Sequence, residues 1–201
     1  MKRIAAVVLA AGRSRRMGVN KLTLALDGKP LIRHALDAVA ASRLVGATVV
    51  LGHEAEKVRA ALSGAAARFV VNDEFHQGLS TSLKAGLAAL PPDIDGAMIF
   101  LGDMPDIAPE LIDRMIAAFD LGAGRTIVIP KYCGRRGHPV LWGRRFFPTI
   151  LREAHGDSGA RNLLDEMAAY IAEVETESDG VLLDLDTLEA FHRRAQTIEA
   201  P

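Results

Sequence analysis

The sequence predicts an α/β protein with three layers, α/β/α, built around a mostly parallel sheet. Three observations carry this. Continuously apolar, β-branched runs alternate with runs whose apolar residues recur at helical spacing. The 201 residues are 49% hydrophobic, enough for one sizeable core and short for two. No internal repeat, low-complexity tract or linker interrupts the alternation, so residues 1–201 are expected to form a single domain.

The elements follow in order. "RIAAVVLA" (3–10) reads as a strand buried on both faces of a parallel sheet. In "PLIRHALDAVAAS" (30–42), Pro30 suits a first helical position, and Ile32, Ala35, Leu36 and Val39 fall on one helical face. The alternation repeats with a strand at 47–52 and a helix from about Glu54, then a strand at 67–72 and a helix through 83–90. It repeats again with a strand at 96–103 and a helix at 109–119, whose Leu111, Ile112, Met115, Ile116 and Phe119 make one apolar stripe. After a strand at 125–130, a glycine-containing loop feeds a short strand that suits an antiparallel run. Helices are expected at 143–153 and 158–168, strands at 170–175 and 181–185, and a last helix from Thr187. In such a sheet the functional loops lie at the carboxyl ends of the strands.

The net charge of −1 argues against a general nucleic-acid or membrane-surface binder, but charge is segregated along the chain. Residues 121–152 hold seven cations and no acid, whereas residues 162–192 hold nine acids and no Lys or Arg. One part suits an anion and the other a metal. The single cysteine, Cys133, rules out an internal disulfide and a Cys-cluster zinc site, which fits a reducing, cytoplasmic setting. The opening "MKRIAAVVLAAG" mimics a signal peptide, but "RSRRMGVNK" follows at once and the same residues make a good buried strand.

The stretch 11–21 carries Arg13, Arg15, Arg16 and Lys21 around Gly12 and Gly18, with no acid before Asp27. It follows a strand, where loop N–H groups gather around phosphates. It is neither G-x-x-x-x-G-K-[ST] nor G-x-G-x-x-G, and the missing dinucleotide fingerprint disfavours a nicotinamide-dependent oxidoreductase. Cations on such a loop suit a triphosphate, because they stabilise charge shed onto leaving pyrophosphate. In "FLGDMP" (100–105), Asp103 lies just past a strand at the same sheet edge. It is a turn residue or a Mg²⁺ ligand, and Mg²⁺ needs only one or two carboxylates beside phosphate oxygens and water. In "LLDLDT" (182–187), Asp184 and Asp186 share a side if the strand continues, and Asp186 reads equally as a helix cap. "NDEFHQGLSTSL" (72–83) offers Gly78, Ser80 and Ser82 for helix capping or for a base and ribose. Arg136 and His138 in "RRGHP" and Arg161 in "GDSGAR" stand in loops suited to a second anionic substrate.

Several of these stretches resemble one family. "LAAGRSRRMGVNKLTLALDGKPLI" (9–32) resembles the signature L-A-A-G-x-S-x-R-M-G-x-x-K of nucleotidyltransferases that attach a nucleotide to molybdopterin. "GLSTSLKAGL" (78–87), "GDMP" (102–105), "GRRGHPVLW" (134–142), "GDSGAR" (156–161) and "DLDT" (184–187) follow in that family's order. The resemblance spans roughly residues 3–192. It implies a Rossmann-like nucleotidyltransferase domain. Leu9, Ala10, Ala11, Gly12, Arg16, Lys21, Gly78, Ser80 and Ser82 then bind the nucleotide, and Arg16, Lys21 and Asp103 are the catalytic candidates. Asp103 and Asp186 hold Mg²⁺, and Arg136, His138 and Arg161 contact the second substrate.

Within the family the cytidylyl branch looks like L-A-A-G and the guanylyl branch like L-A-G-G. Ala10 and Ala11 place this chain with the former. The implied partners are CTP, molybdopterin or molybdenum cofactor, and a recipient molybdenum enzyme, with neither nucleic acid nor membrane. "DLDTLEAF" departs from the family's D-x-D-T-P-E-D-L at Leu188 and Ala190, which removes a favourable helix start and an exposed charge but no metal ligand. The rival readings are guanylyl or sugar-phosphate nucleotidyl transfer and a non-enzymatic cofactor carrier.

Overall fold

The computed structural model describes residues 2–196. Strand β1 (Ile4–Ala10) is buried at every position and lies at the centre of the sheet. Its alternation sorts the side chains: Ile4, Ala6, Val8 and Ala10 enter one apolar cluster, while Ala5, Val7 and Leu9 enter another. The remaining strands of the main sheet are β4 (Ala47–Leu51), β5 (Arg68–Val71), β6 (Gly96–Leu101), β7 (Ile127–Tyr132), β8 (Arg135–Arg136), β9 (Val140–Gly143) and β10 (Ile171–Glu175). A separate two-stranded hairpin is formed by β2 (Ala25–Leu26) and β3 (Lys29–Pro30).

The strand order is β10-β7-β9-β6-β1-β4-β5, with β8 paired to β7. Parallel pairs join β1 to β4 and β6, β4 to β5, and β7 to β10. Strand β9 runs antiparallel to both β6 and β7, as expected for the segment after the glycine loop.

Helices α1 (Leu31–Ala40), α2 (Ala55–Ala61) and α4 (Pro109–Ala118) cover one face. They contribute Ile32, Leu36 and Val39, then Val58, then Leu111, Ile112, Met115 and Ile116. Helices α3 (Leu79–Ala88) and α5 (Phe147–Glu153), with the short α6 (Leu163–Glu166), cover the other through Leu83, Leu87, Phe147, Ile150 and Leu163. This is the three-layer arrangement the alternation predicts. Helix α7 (Leu188–Gln196) closes the described chain.

Two expectations are corrected. Residues 181–185 are not a strand. Val181 ends a 3₁₀ turn (Asp179–Val181), and the run is pinned by single hydrogen bonds, from His138 N–H to the Val181 carbonyl at 2.8 Å and from Leu185 N–H to the Asp103 carbonyl at 3.3 Å. The apolar residues of this run plug separate gaps: Val181 joins the cluster under α4, and Leu185 joins a third cluster with Met17, Leu26, Leu31 and Phe191. A helix over 158–168 is likewise reduced to α6 between two 3₁₀ turns, because Gly159 takes φ +59° and interrupts it. Among the described residues no helix is long and apolar enough to cross a membrane.

Candidate active site

The loop that follows β1 is tightly built. Ser14 takes φ +48° and Gly18 φ +69°, and the Met17 N–H donates to the Ser14 carbonyl at 2.9 Å. Ser14 Oγ accepts from the Lys21 N–H at 3.2 Å. Buried Asn20 caps the 3₁₀ turn Lys21–Thr23 by accepting from the Leu22 N–H at 3.2 Å. Met17 inserts beside Leu185 and Phe191, so one apolar plug ties this loop to the segment that carries Asp186. The backbone under Arg16 and Lys21 is therefore fixed from both sides.

Asp103 stands just beyond β6. The Gly102 N–H donates to the Leu9 carbonyl at 3.0 Å, and a side chain at Gly102 would place its Cβ 3.1 Å from that same oxygen, so glycine keeps the ends of β1 and β6 together. The Lys21 ammonium donates to the Asp103 carboxylate and, at 2.5 Å, to Asp186 Oδ1. Arg16 Nη2 lies 3.0 Å from Asp186 Oδ2. Burial disfavours the Lys21 charge, but the Asp103 and Asp186 carboxylates outweigh it and its pKa lies above the ordinary value. Burial likewise opposes ionisation of Asp186, yet Lys21 and Arg16 hold its pKa below the usual carboxylate range. Asp184 is shifted the other way, by burial and then by the negative charges of Asp186 and Asp103. Two hard-oxygen carboxylates thus converge on one point already taken by a cation, a donor set that suits Mg²⁺ or Mn²⁺ once phosphate oxygens and water complete the shell. Among the described residues no group of three or more His, Cys, Asp or Glu gathers as a self-sufficient metal cage.

These groups open on a cleft of about 550 Å³. Of the expected residues, Leu9, Ala11, Gly12, Arg16, Lys21, Gly78, Ser82, Asp103 and Asp186 line it. Ala10 and Ser80 do not: strand alternation turns the Ala10 methyl into the opposite core, and Ser80 is buried in the first turn of α3. Asn72 Nδ2 donates to Thr81 Oγ1 at 2.9 Å and Ser82 Oγ at 3.0 Å, which orients the hydroxyls at that helix start. Ala11 packs where Gly52 has no side chain; a Cβ there would fall 2.7 Å from the Ala11 methyl.

Arg136, His138 and Arg161 do not line this cleft. Arg136 donates to Glu173 at 2.8 Å at the edge of the sheet. His138 is largely enclosed, with Nδ1 buried and unpartnered; burial and then the Arg161 charge push its pKa down to about 4, against the pull of Asp103. The structure adds residues that lie within the quoted stretches 72–83 and 156–161 but are not singled out by them. Phe75 lines the cleft with Arg13 5.7 Å over its ring, and Asp157 Oδ1 accepts from the Leu79 N–H at 3.3 Å. An aromatic residue in an otherwise polar loop was the signal for Phe75. Asp157 is placed by close approach, since a Cβ on Gly78 would meet the Gly156 carbonyl carbon at 2.6 Å.

Residues 6–172 match the MobA-like NTP transferase domain. The chain belongs to that family. This MobA-like chain is 36% identical to a probable molybdenum cofactor guanylyltransferase of Pyrococcus horikoshii, over 66% of the chain and 64% of the relative. It is 26% identical to a nicotine blue oxidoreductase of Paenarthrobacter nicotinovorans, over 94% of the chain and 95% of that protein. The crystal structure of Mycobacterium tuberculosis Rv0371C in complex with manganese superposes with a TM-score of 0.82 at 29% identity, covering 98% of this chain and 100% of that one. In this MobA-like chain the cationic loop faces Asp103 and Asp186 at the carboxyl ends of β1 and β6.

Proposed function

We propose that this nucleotidyltransferase moves CMP from CTP to the terminal phosphate of molybdopterin or molybdenum cofactor and releases pyrophosphate. The observation that carries the reading is Lys21 held between Asp103 and Asp186 in a cleft rimmed by Arg13, Arg15 and Arg16. That constellation places movable cations beside a carboxylate pair, which is what transfer of a nucleotidyl group requires. Ala11 lines the cleft at the position where the L-A-G-G pattern has glycine, and that match to the L-A-A-G pattern supports a pyrimidine. The order of the remaining motifs supports molybdopterin as acceptor.

The acceptor phosphate attacks the α-phosphorus in line. A new P–O bond forms, the α–β bridging P–O bond breaks, and the electron pair leaves on pyrophosphate. A phosphate nucleophile is already ionised at neutral pH, so no general base is needed. Arg16 and Lys21 offset the charge growing on the leaving group, and loop N–H groups around Gly12 orient the triphosphate. Asp103 and Asp186 would hold Mg²⁺, which supplies further charge neutralisation when bound. The manganese complex of Rv0371C supports a divalent ion in this fold.

A second reading, guanylyl transfer to the same acceptor, is favoured by the name of the P. horikoshii relative. Thermal shift separates the two. With Mg²⁺ present, the melting temperature is expected to rise most with CTP, and the rise to be lost in Arg16→Ala. A shift led by GTP transfers the assignment to guanylyl chemistry, and no response to any triphosphate in folded protein removes it.

A further inference from the structure

We propose that Lys21 is the resident cation of the Asp103–Asp186 pair, that a divalent ion enters only by displacing it, and that the displaced ammonium is thereby handed to the nucleotide's phosphates. This rests on the nucleotidyltransferase reading and adds a coupling to it: metal and nucleotide each strengthen the binding of the other. The pair and its two cations are already balanced, Asp103 and Asp186 against Lys21 and Arg16. A divalent ion placed between the carboxylates meets the ammonium at contact range. The repulsion is strong because Lys21 and Asp103 side chains are only 12% and 15% exposed.

The geometry separates the two cations. The Lys21 backbone is fixed by Ser14 and by the Asn20 cap, so only its flexible four-carbon stem can move. The stem starts inside the cleft, and the ammonium it releases stays there. Arg16 is 71% exposed and among the described residues pairs with Asp186 alone, so it reaches a phosphate without vacating the point between the carboxylates. Lys21 is therefore a competitor of the metal and a partner of the triphosphate, whereas Arg16 is only the latter. Metal alone must overcome the ammonium, and nucleotide alone must draw it from two carboxylates. Together each removes the obstacle to the other.

The test is Mn²⁺ binding to the full chain without nucleotide, read by electron paramagnetic resonance of the free ion. Lys21→Met is expected to tighten Mn²⁺ binding by about tenfold or more while kcat/KM falls. Arg16→Met is expected to tighten it several-fold less. Unchanged or weaker Mn²⁺ binding in folded Lys21→Met, or an equal gain in Arg16→Met, overturns the proposal. A second measurement uses the wild-type protein, so it does not depend on a variant folding. Saturating Mn²⁺ is expected to raise the acetylation rate of Lys21, followed by peptide mass spectrometry, and no increase overturns the exchange. Binding of α,β-methylene-CTP in the presence of Mn²⁺ tests the underlying reading separately. Failure to bind it sinks that reading, while normal binding beside unchanged Mn²⁺ affinity in Lys21→Met sinks only the exchange.

Discussion

The ammonium of Lys21 lies 2.5 Å from Asp186 Oδ1, across 165 positions of sequence, and the same nitrogen donates to Asp103. One side chain therefore joins the loop after β1, the end of β6 and the segment before α7.

Asp103→Ala and Lys21→Ala are each expected to lower kcat/KM by about 100-fold or more, because the first removes a carboxylate that would hold the divalent ion and the second removes a cation that offsets phosphate charge. Far-UV circular dichroism is expected to stay unchanged, since both groups sit at the cleft outside the apolar clusters. Near wild-type turnover in either variant contradicts the assignment.

Ala11→Gly is expected to shift selectivity from CTP toward GTP, lowering the ratio of the two kcat/KM values by about tenfold, the equivalent of ~1.4 kcal/mol. The basis is Ala11, which lines the cleft where the L-A-G-G pattern has glycine, with its methyl turned toward Gly52. An unchanged ratio means that the base is read elsewhere.

Leu185 is fully buried in the plug with Met17 and Phe191. Leu185→Ala is expected to cost about 2–5 kcal/mol in urea unfolding. It is also expected to weaken CTP binding at temperatures where the protein remains folded, because the plug ties the Arg16 loop to Asp186. Lost stability with intact CTP affinity would show that the loop is positioned without it.

His138 gives stability a pH dependence of definite sign. Burial, then the Arg161 charge, lowers its pKa from 6.5 to about 4. Between these values the unfolded chain binds more protons than the folded one. This contribution is therefore complete above 6.5 and is lost as pH falls toward 4. Wild-type protein is expected to lose on the order of 2 kcal/mol more than His138→Asn across that window. Equal slopes of urea stability against pH in the two proteins contradict the buried, neutral imidazole.

The layers were legible because burial on both faces leaves a plain mark: β1 is apolar at every position, and the α4 stripe repeats at helical spacing. The loop of Arg16 and Lys21 and the placement of Asp103 after a strand were legible for the same reason, since each is fixed to the end of a recognisable element. What local pattern does not carry is long-range packing. "VLLDL" has the composition of a strand, yet Val181 and Leu185 serve different clusters. Arg136 reads as a substrate contact, but the structure commits it to Glu173, whose position depends on the pairing of β10 with β7. Phe75 and Asp157 reach the cleft through loop folding, with no periodicity to announce them.

The most direct measurement is product analysis after incubating the protein with Mg²⁺, CTP and molybdopterin. The expected result is one pyrophosphate released for each molybdopterin that gains the mass of CMP, with GTP a poorer donor and Asp103→Ala inactive. Absence of pyrophosphate and of any nucleotidylated pterin, with every nucleoside triphosphate and in protein shown to be folded, would contradict it.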